Sequence, residues 1–159
     1  MKIRLFSEQD AQAVSDLIIQ TMRISNSRDY PPEILDELIL HQRPEDILTK
    51  ASWTHFYVAE KDGTIVGCGA IGPYYRRTDE SSLFSFFVHP SYQRRGVGRM
   101  IMSSLENDIY FQRAKRIEIP ASITGLPFYL KMGYIYKDGI ASPDNEMLYH
   151  LEKKKKPNA

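Results

Sequence analysis

The chain has little cysteine, no long apolar run and almost no net charge. One cysteine among 159 residues excludes an internal disulfide. No apolar stretch approaches the roughly 20 residues that a membrane-spanning helix needs. Met1 to Leu5 has the composition of a first strand and not of a secretory leader. We therefore expect a cytoplasmic protein without a membrane partner.

Positive charge is also scarce outside the lysine run at the end of the chain. Residues 1–151 carry 17 Lys+Arg and 19 Asp+Glu, so the net charge of +1 depends on Lys153 to Lys156. Because phosphate backbones bind basic faces, we expect no nucleic-acid partner. The length and composition predict a single domain over 1–151 and a basic, disordered tail over 152–159.

The sequence contains no metal-ligand pattern. Its four histidines are scattered, and none is spaced with a cysteine as zinc ligands are: His41, His55, His89 and His150. The cysteine, Cys68, lies in an apolar run, where a small core residue is expected and not a nucleophile. We predict no metal.

The first half of the chain alternates between helical and strand periodicity. Ala11 to Met22 and Pro32 to Ile39 repeat apolar residues at helical intervals, and a further turn is expected from Pro44. Thr54 to Glu60 and Thr64 to Ile71 alternate as the two strands of a hairpin.

The second half begins with a strand that is apolar on both faces, Ser82 to Val88. A third helix has an apolar row that is expected to reach Ile109, and Arg116 to Ile119 alternates as a strand. A short helix over Thr124 to Met132 stops at Gly133, and Tyr134 to Tyr136 and Glu146 to Leu151 are expected as a last pair of strands. The predicted order is β-α-α-β-β-β-α-β-α-β-β.

Between that apolar strand and the third helix lies a basic glycine loop. Gly96 and Gly98 let a large anion approach the free backbone N–H groups of a helix N-terminus. Nearby arginines supply positive charge: Arg94, Arg95 and Arg99. The loop lacks the third glycine of a dinucleotide fingerprint and the Gly-Lys-Ser/Thr ending of a P-loop. A diphosphate is the expected ligand.

Two motifs carry a resemblance to a known family. Gln93-Arg94-Arg95-Gly96-Val97-Gly98 resembles the Gln/Arg-x-x-Gly-x-Gly/Ala acyl-CoA motif of the GNAT superfamily of N-acyltransferases. Phe128-Tyr129-Leu130-Lys131-Met132-Gly133-Tyr134 resembles that family's Phe-Tyr-x-x-x-Gly-Phe/Tyr segment. The resemblance implies an α/β (α+β) GNAT fold, with a mixed, mostly antiparallel sheet of six to seven strands flanked by about four helices.

The resemblance also implies acetyl-CoA as co-substrate. In the family, loop amides hold the CoA pyrophosphate, and the end of the central strand pairs with the pantetheine arm. Carried onto this chain, the cofactor-binding residues are Phe87, Val88, Gln93, Arg94, Arg95, Gly96, Val97, Gly98, Arg99 and Ser122.

Tyr129 corresponds to the family's general acid. A phenol with a pKa near ~10 stays protonated at neutral pH and can donate to a departing thiolate. Without the resemblance, packing beside Phe128 would be the preferred explanation for Tyr129.

The general base is less clear because the central strand carries no glutamate, unlike that of many relatives. Glu118 alternates away from Ile117 and Ile119 and is the candidate for a base that faces the cleft. Glu80, His89 and ordered water are alternatives.

The expected function is N-acetyl transfer from acetyl-CoA to a primary amine, by direct attack through a tetrahedral intermediate. The acceptor is a small-molecule or protein amine, in a pocket framed by residues 25–31, 74–77 and 137–145. The alternative is a non-catalytic acyl-CoA-binding sensor or interaction module, which the missing strand glutamate favours. Edge strands of such a sheet are compatible with a homodimer.

Overall fold

The computed structural model describes residues 1–155 as one seven-stranded sheet with helices on both faces. The strands are β1 Lys2–Leu5, β2 His55–Lys61, β3 Thr64–Pro73, β4 Glu80–Val88, β5 Arg116–Ser122, β6 Ile135–Tyr136 and β7 Leu148–Lys154. The helices are α1 Ala11–Ile24, α2 Pro32–Ile39, α3 Pro44–Trp53, α4 Val97–Glu106, α5 Ile109–Gln112 and α6 Leu126–Lys131. The predicted fold class is confirmed; the further turn expected from Pro44 is the ten-residue helix α3, and α5 was not predicted.

The sheet has one parallel pair, and that pair opens the site. The strand order is β1-β2-β3-β4-β5-β7-β6, and every neighbouring pair except β4–β5 is antiparallel. Strands β4 and β5 pair only from Glu80–Ser82 to Arg116–Glu118 and then separate. Ser85 has a positive φ of 51° at an irregularity in the β3–β4 ladder. The sheet is therefore split towards the end of β4.

Each face of the sheet has its own core. Helices α1 to α3 cover one face, where Val14 and Ile18 of α1 are fully buried at helical spacing. Helices α4 to α6 cover the other, where Ile101 and Leu105 of α4 are fully buried and lie over Gly69 of β3. Each fully buried aliphatic side chain stabilises the fold by about 1.5–3 kcal/mol. The two layers hold the edges of the split in place.

Helix α4 is shorter than its apolar row predicts. It begins at Val97, after the glycine loop, and ends at Glu106. The Asp108 carboxylate then accepts a hydrogen bond from the Tyr110 N–H and starts α5. The predicted continuation of the row to Ile109 is wrong, because that side chain is 60% exposed.

The basic segment is also more ordered than predicted. Strand β7 continues to Lys154 and pairs with the start of β5. Glu152 is buried against Arg116, and Lys153 Nζ donates hydrogen bonds to Glu106 Oε2 at 3.1 Å and to the Met132 carbonyl at 3.0 Å. The boundary predicted at residue 151 therefore falls inside a strand. The rest of the predicted tail, residues 156–159, lies outside the described residues.

Within residues 1–155, no helix combines the length and the hydropathy needed to cross a membrane.

Candidate active site

A cavity of about 600 Å³ lies where β4 and β5 separate. Its walls come from the end of β4, the glycine loop, the end of β5, α6 and the C-terminal part of α1. Five segments of the chain thus line one space, because β4 and β5, which would otherwise close it, have diverged.

The glycine loop enters α4 through two left-handed residues. Arg94 has a φ of 63° and Gly96 a φ of 84°, a conformation that glycine adopts without strain. A Cβ at Gly96 would have no atom within 4 Å, so open space adjoins this backbone. The first helical hydrogen bond is from the Met100 N–H to the Gly96 carbonyl, at 3.1 Å.

The beginning of α4 provides a site for an anion. The N–H groups of Val97, Gly98 and Arg99 precede that first helical bond and have no partner inside the helix. The positive end of the helix dipole and the side chains of Arg94 and Arg99, which line the cavity, add to the attraction.

Gly98 has a second role that its motif does not reveal. A Cβ there would lie 3.2 Å from the Phe128 ring, which α6 contributes. Phe128 also packs on Phe86 of β4, with ring centroids 5.4 Å apart. The missing side chain at Gly98 thus lets α6 come close to the start of α4 and joins the two motifs.

The side chain of Gln93 links the glycine loop to two other elements. Its side-chain amide donates to the Val88 carbonyl at 3.0 Å and to Ser25 Oγ, at the end of α1, at 3.1 Å. Gln93 therefore fixes the glycine loop to both β4 and α1.

Tyr129 lines the cavity from α6 and is largely buried. Its ring meets those of Phe86 and Phe128 edge to face, with both centroid distances 5.7 Å. Burial, and secondarily the neighbouring Cys68 thiol, raise the pKa of the Tyr129 phenol above its ordinary value of 10.0. The phenol is therefore neutral, a proton donor, throughout the physiological range.

Ser122 and Cys68 support this corner of the site. Ser122 Oγ accepts the Gly125 N–H at 2.9 Å and so fixes the turn into α6. The Cys68 thiol is fully buried and donates to the Ser85 carbonyl at 3.1 Å. Burial raises its pKa to about 12, so Cys68 is the inert core residue expected from the sequence.

Glu118 does not line the cavity; it is held in an ionic cluster on β5. Its Oε1 lies 2.8 Å from Lys137 Nζ and 2.9 Å from Arg116 Nη1, and its Oε2 lies 3.4 Å from His150 Nδ1. Burial alone would raise the pKa of Glu118, but the hydrogen bonds from Lys137 and Arg116 outweigh it and lower that pKa. The carboxylate is thus ionised and already paired.

The structure brings most of the predicted cofactor residues together. Those that line the cavity are Phe87, Val88, Gln93, Arg94, Gly96, Gly98, Arg99 and Ser122. Arg95 instead lies over the Tyr92 ring at 5.6 Å, and Val97 is buried in the core. Arg95 precedes α4, so the path of the loop directs its side chain away from the cavity, whereas Val97 buries its side chain and keeps its N–H at the start of α4.

Seven cavity residues were not among the predicted site residues: Thr21, Phe86, Thr124, Gly125, Pro127, Phe128 and Lys131. Thr21 lies in a helix that the sequence describes only by its apolar stripe, so nothing singled it out. Of the three segments expected to frame an acceptor, only 25–31 reaches the cavity, through Ser25 and Asn26. Tyr74 and Lys137, from the other two, meet beside Glu118, with Lys137 Nζ 3.4 Å from Tyr74 Oη.

A family model described as Acetyltransferase (GNAT) domain matches residues 52–136, more than half of the chain. The chain belongs to the GNAT acetyltransferase family. The matched GNAT segment contains β4, the glycine loop, α4 and α6, which form most of the cavity. Family membership supports acyl transfer as the general activity.

Solved structures agree with the GNAT fold. PaiA N-acetyltransferase from Thermoplasma acidophilum, in complex with coenzyme A, is 17% identical, with a TM-score of 0.80 over 98% of this chain and 100% of that one. A GCN5-related N-acetyltransferase from Rhodopseudomonas palustris is 20% identical, with a TM-score of 0.78 over 97% and 95%. YncA from Salmonella typhimurium, with acetyl-CoA, is 15% identical, with a TM-score of 0.69 over 100% and 96%.

Across residues 1–155, no group of three or more His, Cys, Asp or Glu side chains is arranged to hold a metal ion.

Proposed function

We propose that this protein is an acetyl-CoA-dependent N-acetyltransferase that acts on a primary amine. One observation carries the proposal: a single cavity connects the anion-binding start of α4 with the buried Tyr129 phenol. The family match and the two structural relatives named with coenzyme A or acetyl-CoA support the choice of co-substrate.

The residues of the cavity fit two parts of acetyl-CoA, the pyrophosphate and the pantetheine arm. Arg94, Arg99 and the amides at the start of α4 suit its pyrophosphate. The edge of β4 that faces away from β3 has no strand partner after Ser82, so backbone groups there can pair with the amides of the pantetheine arm. The Ser85 and Val88 carbonyls already accept hydrogen bonds, from Cys68 and Gln93. Acetyl-CoA, when bound, supplies the thioester.

Tyr129 is the proposed general acid. The amine nitrogen bonds to the acyl carbon to give a tetrahedral intermediate. When that intermediate collapses, the C–S bond breaks and the sulfur takes the phenolic proton, which Tyr129 regains from solvent. The backbone N–H groups near Val88 are the proposed donors to the developing oxyanion. We assign the amine's own proton to water and not to Glu118, because that carboxylate is already paired away from the cavity.

The test is release of free CoA thiol from acetyl-CoA across a panel of amines. The panel should include amino acids, polyamines and peptides with free N-termini or lysines. Acetylated product, identified by mass, from at least one class supports the proposal. Binding of acetyl-CoA without transfer to any class would contradict it.

A second candidate is a non-catalytic acyl-CoA-binding module. It is favoured by one observation: among the described residues that line the cavity, none is Asp or Glu, so no side-chain carboxylate is in place as a base. This candidate predicts tight acetyl-CoA binding and no turnover in the same panel.

A further inference from the structure

Thr21 has a buried hydroxyl with no protein partner. The residue lies in α1, is 3% exposed and lines the cavity. Within residues 1–155, its Oγ1 is the one buried side-chain nitrogen or oxygen that makes no hydrogen bond. Such a group is costly, because it has lost water and gained nothing in exchange.

Other threonines show what Thr21 could have done instead. A helical threonine ordinarily bonds to the carbonyl four residues earlier. Thr49 Oγ1 donates to the Glu45 carbonyl at 3.0 Å, and Thr54 Oγ1, at the end of α3, donates to the Lys50 carbonyl at 2.7 Å. Thr21 makes no such bond although it is helical too.

Thr21 lies near the end of α1 that is joined by hydrogen bonds to the glycine loop and to β4. The main-chain oxygen of Thr21 accepts the Ser25 N–H at 2.8 Å, so the two residues are one helical turn apart. Ser25 is tied by Gln93 to the carbonyl of Val88. Any chain that runs from a pyrophosphate on α4 to Tyr129 must pass through this cavity.

We propose that the Thr21 hydroxyl hydrogen-bonds an amide of the pantetheine arm of coenzyme A. The arm carries two amides, which lose water when they enter the cavity and need partners there. Backbone groups of β4 reach the arm from one strand edge, and Thr21 supplies a contact from the end of α1. This inference rests on the proposed binding of acyl-CoA.

The experiment compares Thr21→Val with Thr21→Ser by thermal unfolding and by calorimetric titration with CoA. Valine keeps the shape but removes the hydroxyl. In the free protein, Thr21→Val should raise the melting temperature by about 2–4 °C, since it removes an unsatisfied group. It should also weaken CoA binding by about three- to tenfold. Thr21→Ser should bind within about twofold of the unaltered protein.

Thr54→Val is the matched control. Its hydroxyl is buried but already bonded to Lys50, so this change should lower the melting temperature and leave CoA binding unchanged. A merely structural role for Thr21 would likewise lower stability in Thr21→Val. Only a hydroxyl that is unpaired in the free protein and bonded to CoA in the complex predicts that Thr21→Val raises the melting temperature and weakens CoA binding.

A second probe locates the contact along the ligand. Adenosine 3′,5′-bisphosphate lacks the pantetheine arm, so its affinity should not change in Thr21→Val. Equal CoA affinity in both proteins overturns this inference while leaving the proposed function intact. An effect confined to the KM of the amine acceptor overturns it as well. Failure of the unaltered, folded protein to bind CoA contradicts the proposed function itself.

Discussion

Burial keeps the Tyr129 phenol protonated, and aromatic packing fixes the position of its ring. A tyrosine on a short helix is normally a packing residue, and Tyr129 does pack on Phe86 and Phe128. Its position on the cavity wall distinguishes it from Tyr134, which is equally buried but contacts Met102 with its hydroxyl. The two tyrosines therefore form a natural pair for comparison.

Tyr129→Phe should lower kcat by about 100-fold, a typical effect of removing a general acid. The affinity for CoA should change little, because the ring remains. Steady-state kinetics and calorimetry measure the two effects separately. Tyr134→Phe is the control and should retain near-normal kcat. Equal turnover in Tyr129→Phe and the unaltered enzyme would remove Tyr129 from the mechanism.

We infer that the Glu118 side chain stabilises the sheet. Its side chain is 5% exposed and joins β5 to Lys137 and to His150 of β7. Because its pKa is lower in the folded state than the ordinary value of 4.5, its contribution is complete above that pH and is lost as pH falls through the folded-state pKa.

Glu118→Gln should lower the free energy of unfolding by about 2 kcal/mol at pH 7. The difference from the unaltered protein should shrink as pH falls below 4.5. Urea denaturation at several pH values measures it. Glu37→Gln, on the exposed surface of α2, is the control and should have little effect at any pH. A large loss of kcat in fully folded Glu118→Gln would instead restore Glu118 as a candidate base.

The role of a single residue could be predicted from the sequence where its residue type and its neighbours allow one common role. The inertness of Cys68 followed from its residue type and its apolar neighbours, whereas the left-handed backbone at Arg94 and Gly96 was not predicted. The alternation that turns Glu118 away from Ile117 was predictable too. Its partners were not, because Lys137 and His150 are distant in sequence and reach it only through the order of strands in the sheet.

At the scale of elements, the loop before α4 directs the side chains of two neighbouring arginines to different places. Arg94 has a left-handed backbone and lines the cavity, whereas Arg95 lies over the Tyr92 ring. The motif contains both without distinguishing them, and only the path of the loop decides which one reaches a bound anion.

Arg94→Gln should weaken acetyl-CoA binding by about tenfold or more, the usual cost of losing a charge-assisted hydrogen bond. The neighbouring substitution Arg95→Gln removes the same charge and should have a much smaller effect. Calorimetry at two salt concentrations separates a direct hydrogen bond from long-range electrostatic attraction, because the long-range attraction weakens as the salt concentration rises. Equal losses in the two variants would contradict the assignment of Arg94 to the site.

Element boundaries were less predictable than element types. The lysine run suggested a solvated tail, but the aliphatic parts of lysine side chains can cover apolar surface while their ammonium groups reach carbonyls and carboxylates. Lys153 does this with Met132 and Glu106, and its strand gains a partner in β5. Such pairing depends on a strand more than 30 residues away, which local composition does not show.

At the scale of the whole molecule, the split between β4 and β5 explains why one cavity can hold an extended ligand. Two helical layers stabilise the sheet from opposite faces, so the split persists without strand pairing across it. The order of elements was predictable from periodicity. The split was not predictable, because no local pattern in Ser82–Val88 shows where its pairing with β5 ends.

The central claim is that the cavity binds acetyl-CoA through the amides at the start of α4. The most direct measurement is calorimetric titration of acetyl-CoA into the purified protein and into Gly96→Glu, with both shown to be folded by circular dichroism. The glutamate would place bulk and negative charge in the open space beside the Gly96 backbone. We predict a dissociation constant on the order of micromolar for the unaltered protein and loss of binding in the variant. Absence of binding to the unaltered protein, or equal binding to both, would contradict the account.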